Sequence, residues 1–218
     1  MRTVVFDLDG TLADTSGDLL AAANTCFGQG AVLGPADALT AFQGGRAMLR
    51  LGYERLGVVG DLERDFPRLL AAYRDGICVQ TRLYPGVVAA LDRLRAAGFA
   101  TAICTNKPEA LAVDLVRRLG ISGLFGALVG ADSLPVRKPD PAPYRLAVER
   151  AGGGRSMLVG DTETDRLTGR AAGVPVALVT FGPEGRGVER FEPEGLLDHF
   201  DDLAVLVDRW MGPAAQPT

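Results

Sequence analysis

Short apolar runs that end in Gly, Asp or Thr alternate along the chain with longer segments of helical periodicity, the pattern of a parallel sheet covered by helices on both faces. Five runs read as strands: residues 3–7 (TVVFD), 100–105 (ATAICT), 127–131 (ALVGA), 156–160 (SMLVG) and 175–181 (PVALVTF). Their nearly continuous apolar character suits strands buried on both faces. Between them, Pro85 opens a helix marked by Val87, Leu91 and Leu94 and closed by Gly98. Asn106 can cap a second helix, which carries Leu111, Leu115 and Leu119 and stops at Gly120. A third runs from Pro141 towards Gly152. The fold class is therefore α/β.

Residues 15–82 interrupt the alternation with several helices separated by Gly and Pro, and Leu62, Phe66, Leu69, Leu70, Tyr73 and Ile77 trace one face of the best of them. An insertion directly after the first strand predicts a helical subdomain over the end of the sheet, the edge where open α/β sheets bind ligands. The expected organisation is a core of residues 1–14 plus 83–212, a helical insert of residues 15–82 and a loose tail of residues 213–218. The Gly-, Pro- and charge-rich stretch from Gly182 to Pro193 reads as a surface loop.

A chain of 218 residues, 47% of them hydrophobic, can bury a core of this size. The net charge of -4 is scattered without long runs of either sign, which argues against nucleic acid and anionic membranes as partners. The N-terminus enters a strand pattern without secretory features, and no apolar stretch reaches membrane-spanning length. Cys26, Cys78 and Cys104 are odd in number and widely spaced, as expected of reduced thiols in a cytoplasmic protein. Of 23 basic residues only Lys107 and Lys138 are lysine.

The chemistry concentrates at strand ends. In VVFDLDGTL, residues 4–12, a buried strand delivers Asp7 and Asp9 and then turns at Gly10. On a straight strand these carboxylates would alternate faces, but in a loop both can converge on one ligand. Asp7 can then attack phosphorus, while Asp9, kept protonated, gives a proton to the leaving oxygen and later takes one from water.

This segment resembles the first motif, D-x-D-G-T-L/V, of the haloacid dehalogenase superfamily in its phosphatase branch, and three further stretches resemble that family's other motifs. The second motif is matched by Thr105, whose hydroxyl would bond phosphate; Asn106 would add a donor or cap the helix. VRKPDPAPYRLAVER supplies Lys138, which the resemblance places between nucleophile and phosphate. GDTETD, residues 160–165, supplies Asp161 as a direct Mg²⁺ ligand and Asp165 to hold metal-bound water. Asp7 and the backbone carbonyl of Asp9 complete the expected metal set, with Gly10 in the substrate loop. Lys107 reads only as a first-turn helix residue.

The resemblance implies a Rossmann-like parallel sheet flanked by helices, with an inserted all-helical cap of the family's first type. It further implies a cytoplasmic monomer or dimer acting on a small phosphorylated metabolite, with 2-phosphoglycolate as the best guess. Gly44, Gly45 and Arg46 precede a helix of the insert, and Arg46 could bind a substrate carboxylate. Asp14 would cap the first helix of the insert. A β-phosphoglucomutase-like sugar phosphate mutase is the main alternative, although such enzymes show G-x-E-D-S where this chain has GDT. A nucleotide or pyrophosphate hydrolase stays open, and a dehalogenase is disfavoured by Asp9. A non-catalytic phosphate-binding regulatory protein would need neither nucleophile nor acid. His199 lies far from every motif, and Trp210 reads as packing.

Overall fold

The structure is a computed structural model that describes residues 1–28 and 30–212. The tail expected over residues 213–218 lies outside the described residues. In chain order the elements are β1 (Arg2–Phe6), β2 (Ala13–Asp14), α1 (Ser16–Asn24), α2 (Ala38–Phe42), α3 (Gly45–Leu56), α4 (Leu62–Asp75) and β3 (Arg82–Leu83). There follow α5 (Val87–Ala96), β4 (Ala100–Cys104), α6 (Glu109–Arg118), β5 (Ala127–Val129), α7 (Pro141–Arg150), β6 (Arg155–Gly160), α8 (Glu163–Ala172), β7 (Val176–Val179), β8 (Gly195–Leu197) and α9 (Leu203–Met211).

The chain divides into two compact units, Asp14–Arg82 and a second formed by Met1–Ala13 with the chain from Leu83 on. The second unit is built on a parallel sheet of order β5-β4-β1-β6-β7-β8. On one face Val5, Ala102, Leu158 and Leu178 share a cluster with Tyr144 and Ala147 of α7. The alternate residues Val4, Phe6, Ile103, Met157, Val159 and Ala177 are equally inaccessible, which is why these strands lack a polar face. α7 packs on β1, β4 and β5 and α8 on β6 and β7, while α5 lies against β4 and α9 against β6. The architecture is the expected Rossmann-like α/β sheet flanked by helices.

The stretch from Gly182 to Pro193 differs from the expected surface loop. It contains a 3₁₀ helix, Gly185–Phe191, whose Val188 is fully buried, and it leads into β8, an edge strand the hydrophobic pattern does not announce. Three residues are too short for a period to register. Gly195 is needed there because a Cβ would lie 2.9 Å from the Trp210 ring.

The helical unit holds the four helices α1 to α4, joined by Gly- and Pro-containing turns. Leu69, Tyr73 and Ile77 are buried on the face that the periodicity marks. Among the described residues no helix is long and apolar enough to cross a membrane. The unit closes on a buried carboxylate: Asp18 accepts from the backbone N–H groups of Val79, Gln80 and Thr81 at 2.8–3.0 Å and from the Thr81 hydroxyl at 2.7 Å. Asp18→Ala strands these donors and should cost about 3 kcal/mol of stability, read as a lowered urea midpoint.

Candidate active site

The site grows from three adjacent strands. β1 lies between β4 and β6, and Phe6 is level with Ile103 on one side and Val159 on the other. Asp7, Thr105 and Asp161, which follow these strands, therefore emerge along one carboxyl-terminal edge. The chain also reverses here, since β4 and β5 lie to one side of β1 and β6 to β8 to the other, so the edge is a topological switch point. After Asp7 the backbone folds into a tight loop in which Leu12 and Ala13 N–H groups bond the Leu8 carbonyl and Gly10 N–H bonds the Ala13 carbonyl. Gly10 takes a φ of +80°, a conformation that costs a side-chain-bearing residue.

Asp7, Asp161 and Asp165 each bring a carboxylate oxygen to within 4.8 Å of the others, and all three are buried. Burial pushes the Asp7 carboxyl up to about 6, against the pull of Lys138 and with added repulsion from Asp165 and Asp9. Asp161 is raised well above the ordinary value for the same first reason, with Asp7 and Asp165 as the repelling charges. Lys138, 3% exposed, is the counter-charge: its Nζ lies 2.6 Å from Asp165 Oδ1 and 3.1 Å from Asp7 Oδ1. Burial opposes its charge, but Asp165 and Asp7 outweigh that and hold its pKa above the ordinary lysine value. The ammonium thus stands beside the Asp7 carboxylate.

The segment after β4 differs from expectation in two ways. Asn106 caps nothing; α6 begins after Pro108, and the Asn106 amide donates instead to the Lys138 carbonyl at 3.0 Å, tying the two motif loops together. Lys107 is not in the first turn of the helix either. It precedes α6, its side chain is almost wholly buried, and its Nζ donates to Asp9 Oδ1 at 2.7 Å. Thr105 is buried, and its hydroxyl oxygen accepts from Lys107 N–H at 3.2 Å.

The donor set fits a hard divalent cation. Thr11 donates to Asp161 Oδ1 at 2.9 Å, while Asp161 Oδ2 and Asp7 Oδ1 are buried without a hydrogen bond among the described residues; Lys138 reaches Asp7 Oδ1 only as an ion pair. Orphaned buried carboxylate oxygens are costly unless a cation takes them. Asp165, expected to hold a metal-bound water, has both oxygens engaged. Oδ1 accepts from Lys138, and Oδ2 from the Thr162 hydroxyl at 2.8 Å and from Asp161 and Thr162 N–H at 3.2 Å. It anchors Lys138 and closes a capping box on α8.

Thr11, Lys107 and Gly160 are the site residues to which sequence reasoning assigned no role. A Cβ on Gly160 would lie 2.4 Å from the Asp165 side chain, so this glycine makes room for the anchor. Arg46, in the helical unit, places Nη1 2.6 Å and Nη2 3.3 Å from the Glu63 carboxylate, with its guanidinium over the Phe66 ring. Asp14 accepts from Ser16 N–H and hydroxyl at the start of α1. His199 accepts from Asp201 N–H at a 3₁₀ helix start. None of Cys26, Cys78 and Cys104 is in a disulfide, and burial pushes the Cys104 thiol at the end of β4 up to about 12, too high for a nucleophile.

Gly160→Ala should lower stability by about 2 kcal/mol and displace Asp165 from Lys138, whereas Gly123→Ala, where a Cβ meets open space, should be nearly neutral. Urea midpoints of the two variants, compared side by side, check this; equal midpoints would refute the packing argument.

A family model described as haloacid dehalogenase-like hydrolase matches residues 1–173. A phosphoglycolate phosphatase of Mesorhizobium japonicum is 40% identical over 217 residues, covering 93% of this chain and 92% of that protein. Another from Agrobacterium fabrum is 38% identical, covering 91% and 89%. Among solved structures, a predicted phosphoglycolate phosphatase from Haemophilus somnus superimposes with a TM-score of 0.81 at 24% identity, covering 94% of this chain and 97% of that one. A proposed β-phosphoglucomutase from Thermotoga maritima gives 0.74 at 22%, covering 96% and 99%, so the fold by itself does not separate these activities. With four motifs meeting at one sheet edge and a family match over most of its length, the chain belongs to the haloacid dehalogenase-like hydrolases.

Proposed function

We propose that this protein is a cytoplasmic, Mg²⁺-dependent phosphatase that hydrolyses a small phosphate monoester, with 2-phosphoglycolate favoured, through an aspartyl-phosphate on Asp7. The observation that carries the reading is the buried Asp7 carboxylate with the Lys138 ammonium 3.1 Å away and further carboxylates beside it. A fixed cation at that point screens the approach of an anionic nucleophile to an anionic phosphate and stabilises the transition state. The preference for 2-phosphoglycolate rests on the names of the 36–40% identical relatives.

In the proposed reaction Asp7 attacks phosphorus and the bond to the ester oxygen breaks as Asp9 protonates that oxygen. Asp9 then takes a proton from water, which attacks the aspartyl-phosphate and returns Asp7 as carboxylate. Thr105 is assigned to a phosphate oxygen, together with the backbone at Gly10. Asp7, the Asp9 carbonyl and Asp161 would hold Mg²⁺, with Asp165 behind them. When bound, the ion neutralises carboxylate and phosphate charge together.

Asp7→Asn should abolish p-nitrophenyl phosphate turnover, and Asp9→Asn should lower hydrolysis of alkyl esters by ~10²–10⁴-fold. Turnover unaffected by Asp7→Asn would sink the mechanism. A panel of 2-phosphoglycolate, sugar phosphates, nucleotides and pyrophosphate assigns the substrate; isomerised sugar without free phosphate would favour a mutase. Arg46→Ala within that panel tests a carboxylate-binding role, which predicts loss on 2-phosphoglycolate alone. Its exposed pair with Glu63 is of a kind that breaks readily.

The raised carboxyls predict a pH signature. Asp7 titrates at about 6 in the native metal-free state against 3.8 ordinarily, and Asp161 is shifted the same way. The native state therefore retains protons that the unfolded chain releases, and metal-free stability falls as pH rises through the window from 3.8 to about 6. Mg²⁺ needs the ionised forms, so its stabilisation grows across the same window. Thermal melts should show a larger Mg²⁺-induced rise near about pH 7.5 than near about pH 5, and a smaller one in Asp161→Asn. A rise independent of pH would contradict this.

A further inference from the structure

Both lysines of the chain are at this site, although the other basic residues are all arginine. Lys138 is 3% and Lys107 7% exposed. Lys138 has its place in the proposed mechanism beside Asp7, whereas Lys107 has none. Its backbone is held on both sides, because its N–H donates to the Thr105 hydroxyl at 3.2 Å and its carbonyl accepts from Ala131 N–H at 2.9 Å. The side chain then reaches back to Asp9 Oδ1 at 2.7 Å. An ammonium suits this task better than a guanidinium fork, since it is a compact charge that binds a single carboxyl oxygen, where a fork would engage both.

We propose that Lys107 is a positioning residue for the general acid: it fixes the Asp9 carboxyl through Oδ1 so that Oδ2 meets the ester oxygen that leaves. This rests on the assignment of Asp9 as acid and base, and it adds the group that aims it. Proton transfer requires donor and acceptor at hydrogen-bond distance, and a misplacement of about 1 Å can cost ~10²-fold, so a carboxyl free to turn about its bonds would be a poorer acid.

The test uses the full chain with Mg²⁺ and three substrates: p-nitrophenyl phosphate, whose leaving group needs little protonation; ethyl phosphate, an alkyl ester whose alkyl group carries no charge; and 2-phosphoglycolate, an alkyl ester with a carboxylate. kcat/KM is compared because it reports the steps up to transfer of phosphate to the enzyme. Lys107→Met should lower kcat/KM on both alkyl esters alike, by roughly 30- to 100-fold, and on the aryl ester by less than about 5-fold. Lys107→Arg should recover part of the loss, and Lys107→Met should add little in an Asp9→Asn background.

Equal losses on all three substrates, in step with a lowered melting temperature, would make Lys107 structural and overturn the inference. A loss on 2-phosphoglycolate alone would make it a contact for the substrate carboxylate and overturn it equally. If Asp9→Asn itself fails to separate alkyl from aryl esters, the acid assignment falls first; if Asp9→Asn separates them and Lys107→Met does not, only the role of Lys107 falls.

Discussion

Three buried carboxylates brought within a few ångströms of one another are the constraint on which the rest of this site depends. Burial itself raises the pKa values of Asp7 and Asp161, and the neighbouring carboxylates add to the shift by disfavouring a second negative charge nearby. One internal cation, Lys138, offsets part of the repulsion. Three carboxylates against one ammonium still leave an excess of two negative charges, the charge that a divalent ion carries. Asp7 Oδ1 and Asp161 Oδ2 accept no hydrogen bond among the described residues, in agreement with that balance, whereas both oxygens of Asp165 are engaged.

The fold makes such crowding possible by spreading the carboxylates over separate strands. Asp7 follows β1 and Asp161 follows β6, its neighbour in the sheet, while Asp165 arrives from the first turn of α8. Burying charges in one continuous segment would strain that segment alone. Here the cost is carried by a sheet whose strands are inaccessible on both faces and whose register holds the carboxyl-terminal edge level. Gly160 and Gly10 are the local concessions. One admits the Asp165 side chain against the end of β6, and the other lets the chain turn directly after the two first-motif carboxylates.

The legible part of the chain was what repeats or what is rare. Apolar runs marked five of the six strands of the main sheet, and the helices between them followed their period; the GLL strand at residues 195–197 was too short to carry a pattern. Asp7, Asp9, Asp161 and Lys138 stand out in the sequence because each lies in an uncommon local string. Thr11, Gly160 and Lys107 were missed for a different reason: their partners lie 150, 5 and 98 positions away, or act through space that a missing side chain leaves open. Of the two tasks expected of Asn106, the helix cap does not hold, since α6 begins after Pro108 and the amide reaches the Lys138 carbonyl instead. The one available signal for Lys107 was compositional. A chain that uses arginine almost everywhere has kept lysine at only two positions, and both prove to be buried against carboxylates.

Those two lysines face opposite demands. In the proposed reaction the ammonium beside Asp7 acts through charge: it would lower the repulsion between the carboxylate and phosphate, and it is itself fixed by Asp165. The ammonium on Asp9 touches the group proposed to exchange a proton, where direction counts for more than field. A donor on one carboxyl oxygen restricts rotation of the group and so sets the direction of the second oxygen. The loops that carry them are joined, because the Asn106 amide, next to Lys107 in the chain, holds the carbonyl of Lys138. The Asp7 and Asp9 carboxylates are thus held by neighbouring parts of one hydrogen-bonded frame, and a shift in either loop would be felt at both.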